Sequence, residues 1–120
     1  MASVLELGLD PAYVDPKEIT GFTPAEVRAF IEAQLDRVHA AGYEVLNCLV
    51  DRGETAVEAT ERALKSRGFD CVMFGAGLRA PAQLILFEKL LNLVHAQAPG
   101  AKLCFNSSPA DTVAAVRRWV

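Results

Sequence analysis

Apolar residues fall along the chain in two alternating rhythms: short continuous runs and positions three or four apart. Runs at Val4 to Leu9, Tyr43 to Val50, Cys71 to Phe74 and Lys102 to Phe105 read as β-strands. The first helical spacing carries Val27, Phe30, Ile31, Leu35 and Val38. It is introduced by Thr23-Pro24-Ala25-Glu26, an N-cap hydroxyl, a proline at the first helical position and a glutamate at the third, and it meets a stop at Gly42. Thr55 to Glu58 repeats the capping-box spacing ahead of an alanine-rich segment closed by Gly68. A third helix is predicted from about Ala82 to Ala96, between Pro81 and Pro99-Gly100. Ser108-Pro109-Ala110-Asp111 starts a fourth, with Val113, Val116 and Val120 on one stripe and Arg117 and Arg118 near the carbonyls that favour positive charge.

Strand and helix alternating with short connections predict a parallel sheet with right-handed crossovers. The expected fold is a three-layer, flavodoxin-like α/β domain spanning residues 1–120, with strand order 2-1-3-4. Asn47 and Glu44 in the second run and Lys102 in the fourth suit sheet edges, whereas the wholly apolar third run suits a strand buried on both faces. Glu6 does not fit, because a central first strand has no reason to bury an unpaired carboxylate. Either it sits near the strand's exposed start or the order differs.

In sheets of this winding, ligands bind beyond the carboxyl ends of the strands, where the winding reverses. The segments meeting there carry Asp10, Asp51, Gly75, Ala76, Gly77, Arg79, Asn106, Ser107 and Ser108. Gly75 and Gly77 allow positive φ or close approach to the main chain, and Arg79 offers a planar cation suited to carboxylate or phosphate. A small anionic ligand is therefore expected; the competing reading is a tight turn with Arg79 paired to Asp10 or Asp51. Residues 10–22 show no helical or strand pattern and read as a lid bearing Tyr13, Asp15, Lys17 and Glu18, or as a flap over the sheet edge.

The composition of the 120 residues, 52% apolar and 22% charged, supports one domain with a substantial core. Net charge is −3 and the twelve Lys and Arg form no stripe, so nucleic acid is not an expected partner. The stretch from Leu84 to Val94 is too short to span a membrane, and the start of the chain lacks a signal-peptide pattern, so no membrane association and a cytoplasmic location are expected. Cys48, Cys71 and Cys104 are odd in number, lack C-x-x-C spacing and sit among apolar neighbours, as reduced core thiols do. On the third helix Leu86, Leu90 and Leu93 exceed the stripe needed to pack on one sheet face. This surplus predicts a homodimer through that helix, unless the fourth helix or the long loop covers it.

Known chemistries fit poorly. The topology resembles a response-regulator receiver domain, but Asp10 alone stands for that family's acidic pair, Gly75 occupies the phosphoacceptor's place, and Ser107 stands for its hydroxyl. Without an acceptor carboxylate, aspartyl phosphorylation has no nucleophile there. The flavodoxin phosphate loop is not matched by Gly8-Leu9-Asp10-Pro11-Ala12-Tyr13, and the cysteine-to-arginine spacing of low-molecular-weight phosphatases is not matched by Cys71 and Arg79. The third glycine of a dinucleotide fingerprint is missing, so no cofactor is expected. His95 shares a helical face with Glu88 and Asn92, a solvated stripe, and His39 lies late on the first helix.

Gly-Leu-Asp-Pro, Val-Asp-Arg-Gly-Glu-Thr, Gly-Ala-Gly-Leu-Arg, Phe-Glu-Lys-Leu-Leu-Asn-Leu-Val-His and Phe-Asn-Ser-Ser-Pro-x-Asp-Thr are similar, over nearly the whole chain, to a family of small uncharacterised bacterial and fungal proteins. That resemblance agrees with the α/β fold and lends no activity to carry over. The leading expectation is a module binding a small anion. An interaction scaffold acting as a homodimer comes second. A metal-assisted small hydrolase using Asp10 or Asp51, with Asp15 completing a site for a hard cation, is third.

Overall fold

A computed structural model describes residues 1–14 and 21–120. The runs form strands β1 (Ser3–Leu9), β2 (Glu44–Val50), β3 (Cys71–Phe74) and β4 (Lys102–Phe105), all parallel, in the order β2-β1-β3-β4. Between them lie helices α1 (Pro24–Ala40), α2 (Ala56–Ser66) and α3 (Leu84–Gln97), and α4 (Thr112–Arg117) follows β4. The expected order and edge strands are those observed. Asp15, Lys17 and Glu18, assigned to a lid or flap, lie outside the described residues.

Local chemistry explains most boundaries. At α1 the Thr23 hydroxyl accepts from the Glu26 amide, and the Glu26 carboxylate accepts from the Thr23 amide, both at 3.1 Å. The predicted box at Thr55 does not form; Asp51 replaces it, accepting from the Gly53 and Thr55 amides and from the Thr55 hydroxyl at 2.7 Å. At the third helix, proline at position 81 starts a 3-10 turn (Pro81–Gln83), and regular helix begins only at Leu84.

The two faces of the sheet pack differently. On one, Leu5, Leu7, Val72 and Phe74 meet Ala56 and Ala63 of α2 and Leu86, Leu90 and Val94 of α3. On the other, Val4, Cys71, Met73 and Cys104 meet Val38 of α1 and Val116 of α4. The Cys71 and Cys104 sulfurs are 3.2 Å apart in this second core, both thiols free and fully buried, whereas Cys48 is only half-buried. All seven residues of β1 are buried.

The third helix buries part of the expected leucine surplus. Leu86 and Leu90 are 7% and 0% exposed, so these two leucines spend their apolar area inside the chain, whereas Leu93 is only partly buried against the same core. The exposed apolar residues of α3 are instead Leu84 and Ile85. Among the described residues no helix is long and apolar enough to cross a membrane.

Candidate functional site

Strand geometry sends alternate residues to opposite faces. On β1, Glu6 therefore shares the α1/α4 face with Val4, and it lies beside Met73 of β3 in the ladder. Neither alternative offered for Glu6 holds: the strand order is as expected, and the residue is 4% exposed in the middle of the central strand. Its Oε2 is fully buried, with no hydrogen-bond partner among the described residues.

Two glycines make room for this carboxyl. A Cβ on Gly8 would lie 3.1 Å from Glu6 Oε1, and one on Gly75 would lie 3.2 Å from the same atom. Gly75 has φ −69° and ψ 156°, an ordinary extended conformation, and it is not among the residues with positive φ. Close approach, and not backbone freedom, is what this position asks of glycine.

The carboxyl faces a cavity of about 300 Å³ between the sheet and the α1/α4 layer. The floor is Glu6, Gly8, Met73, Gly75 and Asn106. Val27, Ile31 and Leu35 of α1 form the roof, while Leu9, Pro11 and Val14 close one side and Pro109 and Thr112 the other. Ala76 and Gly77 stand at the carboxyl end of β3, where the sequence places a ligand edge. Glu6 is the sole ionisable side chain lining the cavity among the described residues. Burial pushes its pKa up from the usual carboxylate value to about 8, because removing a charge from water disfavours the ionised form.

Asn106 and Thr112 are polar but already committed. Arg79 Nη2 donates to Asn106 Oδ1 at 3.1 Å, Asn106 Nδ2 donates to Thr112 Oγ1 at 3.1 Å, and Thr112 Oγ1 donates to the Pro109 carbonyl at 2.6 Å. This chain ties the end of β4 to the turn before α4.

The other expected site residues separate. Arg79 is not at the cavity: its Nε donates to the Phe74 carbonyl at 3.2 Å, and its guanidinium lies 5.6 Å from the Phe105 ring centroid. It pairs with neither Asp10 nor Asp51. Asp10 forms an ion pair with Arg28 and accepts from the Ala12 amide, and Asp51 caps α2, so both carboxylates are occupied. Hydrogen bonds, led by the Thr55 hydroxyl, hold the Asp51 pKa below the usual value. Ser107 and Ser108 donate to Asp111 and close the turn before α4. Among the described residues no three His, Cys, Asp or Glu side chains gather as a metal ion would require. Gly75, Ala76, Gly77 and Asn106 are thus the expected residues that line the cavity.

Glu6 itself, Gly8, Thr112 and the apolar roof were not read as site residues. The available signal was Glu6 interrupting a central apolar strand with a glycine two residues later, on the same face. The sequence matches no model of a known protein family and no curated protein.

Proposed function

We propose that this domain binds a small, mostly apolar molecule in the cavity between the sheet and α1, with Glu6 as its polar anchor. The observation that carries the reading is the buried Glu6, which lines a cavity of about 300 Å³ and whose carboxyl has no partner at Oε2 among the described residues. A buried polar group without a partner costs about 1–3 kcal/mol, so its retention in the central strand calls for a compensating role. Gly8 and Gly75, which keep the space around it clear, support the same reading.

The cavity lies at the lower end of the range for small-molecule pockets and holds on the order of ten water volumes. A ligand with one ring or a short chain suits it. Its place at the carboxyl edge of the sheet agrees with where such folds take ligands. The polar anchor moves from Arg79, which protein groups occupy, to Glu6.

The test is a small-molecule screen followed by methyl NMR, comparing the native protein with Ile31→Phe, which places extra bulk in the roof. Hits are expected to shift the Ile31, Leu35 and Met73 methyls of the native protein and to lose affinity at least tenfold in Ile31→Phe. Hits that bind the variant equally well would place the ligand elsewhere and end this reading.

A further inference from the structure

We infer that the molecule taken by this cavity is a small organic cation, a primary or secondary ammonium on an apolar body, which forms a buried ion pair with Glu6. The inference rests on the reading of the cavity as a binding site and adds the chemical class of its occupant.

Two observations select the charge. First, Asn106 and Thr112 have their side-chain groups engaged by Arg79, by each other and by the Pro109 carbonyl, so Glu6 is the wall's unpaired polar side chain. Second, no lysine, arginine or histidine lines the cavity among the described residues. Among the described residues, an anion entering there would meet a carboxyl and no counter-charge. A neutral donor would supply one hydrogen bond, whereas an ammonium supplies charge-assisted ones, roughly twice as strong, in surroundings that weaken the field of a charge far less than water does. The apolar body matches Leu9, Val14, Val27, Ile31, Leu35 and Met73.

The proton balance follows. In the empty site Glu6 is mostly a neutral acid at pH 7, its pKa pushed up to about 8. An alkylamine arrives protonated. Forming the carboxylate–ammonium pair breaks the Glu6 O–H bond and delivers that proton to solvent at neutral pH. Among the described residues, Glu6 is the ionisable side chain that lines the cavity. Against it α1 presents Val27, Ile31 and Leu35, β3 presents Met73, and the α4 side presents Pro109 and Thr112. Asn47 is its ladder partner on β2, and the Cys48 thiol of that strand feels its charge and is itself held protonated by burial. Glu32, Asp36 and His39 of α1 line a separate hollow with Val45 and Asn47. Asp10 is held by Arg28.

The experiment compares three probes of one shape: benzylammonium, benzyl alcohol and benzoate. Each is titrated at millimolar concentrations into the full chain and followed by the Ile31, Leu35 and Met73 methyls. A benzene-sized body is suitable, since an apolar cavity of about 150 Å³ admits benzene. Benzylammonium is expected to bind at least tenfold more tightly than benzyl alcohol, with benzoate weakest. Its Kd should tighten nearly tenfold between pH 6 and pH 7, as the cost of removing the Glu6 proton falls. Glu6→Gln, of nearly the same shape, should weaken benzylammonium at least tenfold and change benzyl alcohol by less than threefold.

Should benzyl alcohol or benzoate bind as tightly as benzylammonium, or Glu6→Gln leave the ammonium unaffected, the cation assignment falls while the cavity reading stands. Should no probe move the methyls, or should all bind Ile31→Phe unchanged, both fall. A loss of the folded spectrum in Glu6→Gln transfers the decision to the native protein's pH dependence, where a flat Kd overturns the inference.

Discussion

The two faces of the sheet follow opposite policies. Against α2 and α3, Leu5, Leu7, Val72 and Phe74 are each no more than 2% exposed and meet apolar partners throughout. Against α1 and α4, the same strands contribute Glu6, Gly8, Gly75 and a cavity. Both faces are built from one set of strands with one twist, so backbone geometry is not the source of the difference. Side-chain choice is: one face spends its residues on packing, and the other forgoes packing around a carboxyl.

The largest effect is expected on the packed face. Leu90→Ala leaves a hole among residues that are fully enclosed, at a cost of about 4 kcal/mol in denaturant unfolding. A loss below about 1 kcal/mol would show that this face is as loosely packed as the other, and the contrast would vanish.

Next comes Glu6→Gln, with the opposite sign. The pKa of Glu6 rises from 4.5 to about 8 on folding, so the folded state holds an extra proton between those values. The native protein's stability is therefore greatest from this group below the unfolded pKa and falls as pH rises towards 8. Against Glu6→Gln the gap should open over that window, with the variant the more stable above pH 8. Parallel stability-versus-pH curves would mean that Glu6 is solvated and that the second face is not dry.

The smallest effect concerns the cavity's rim. Arg79→Ala removes the donor to the Phe74 carbonyl and to Asn106, costing about 1–2 kcal/mol. It should change benzylammonium affinity by less than threefold, because the guanidinium holds the wall without touching the cavity. A large loss of binding with little loss of stability would return Arg79 to the ligand.

The fold was legible because its signals are local. The capping box at Thr23 and Glu26 forms as written, and the apolar run from Cys71 to Phe74 lies in the interior of the sheet. The site was legible only in part, because its meaning lies in distances between segments. Glu6 stands out in the sequence as a misfit, but nothing local reveals that Gly75, just past the end of another strand, clears space for the same carboxyl. Arg79 suggested an anion because the sequence gives its charge and not the direction of its side chain, which turns back onto its own strand's last carbonyl. The burial of the α3 leucines was hidden for a similar reason. A helical wheel counts apolar residues but does not show how broad a surface α2 and the sheet together present, and that surface takes in both Leu86 and Leu90.

β1 precedes both of its partner strands along the chain. Its register partners begin at Glu44 and Cys71, so a ribosome adding about 5–20 residues per second leaves this strand without its second neighbour for several seconds. During that interval Leu5, Leu7 and Leu9 form an adhesive segment on the emerging chain. Glu6, still in water with its ordinary acidity, places a negative charge in the middle of it, as gatekeeper residues do beside aggregation-prone stretches. The carboxyl that is buried in the finished sheet thus stands as a charge within the apolar run of the unfinished strand.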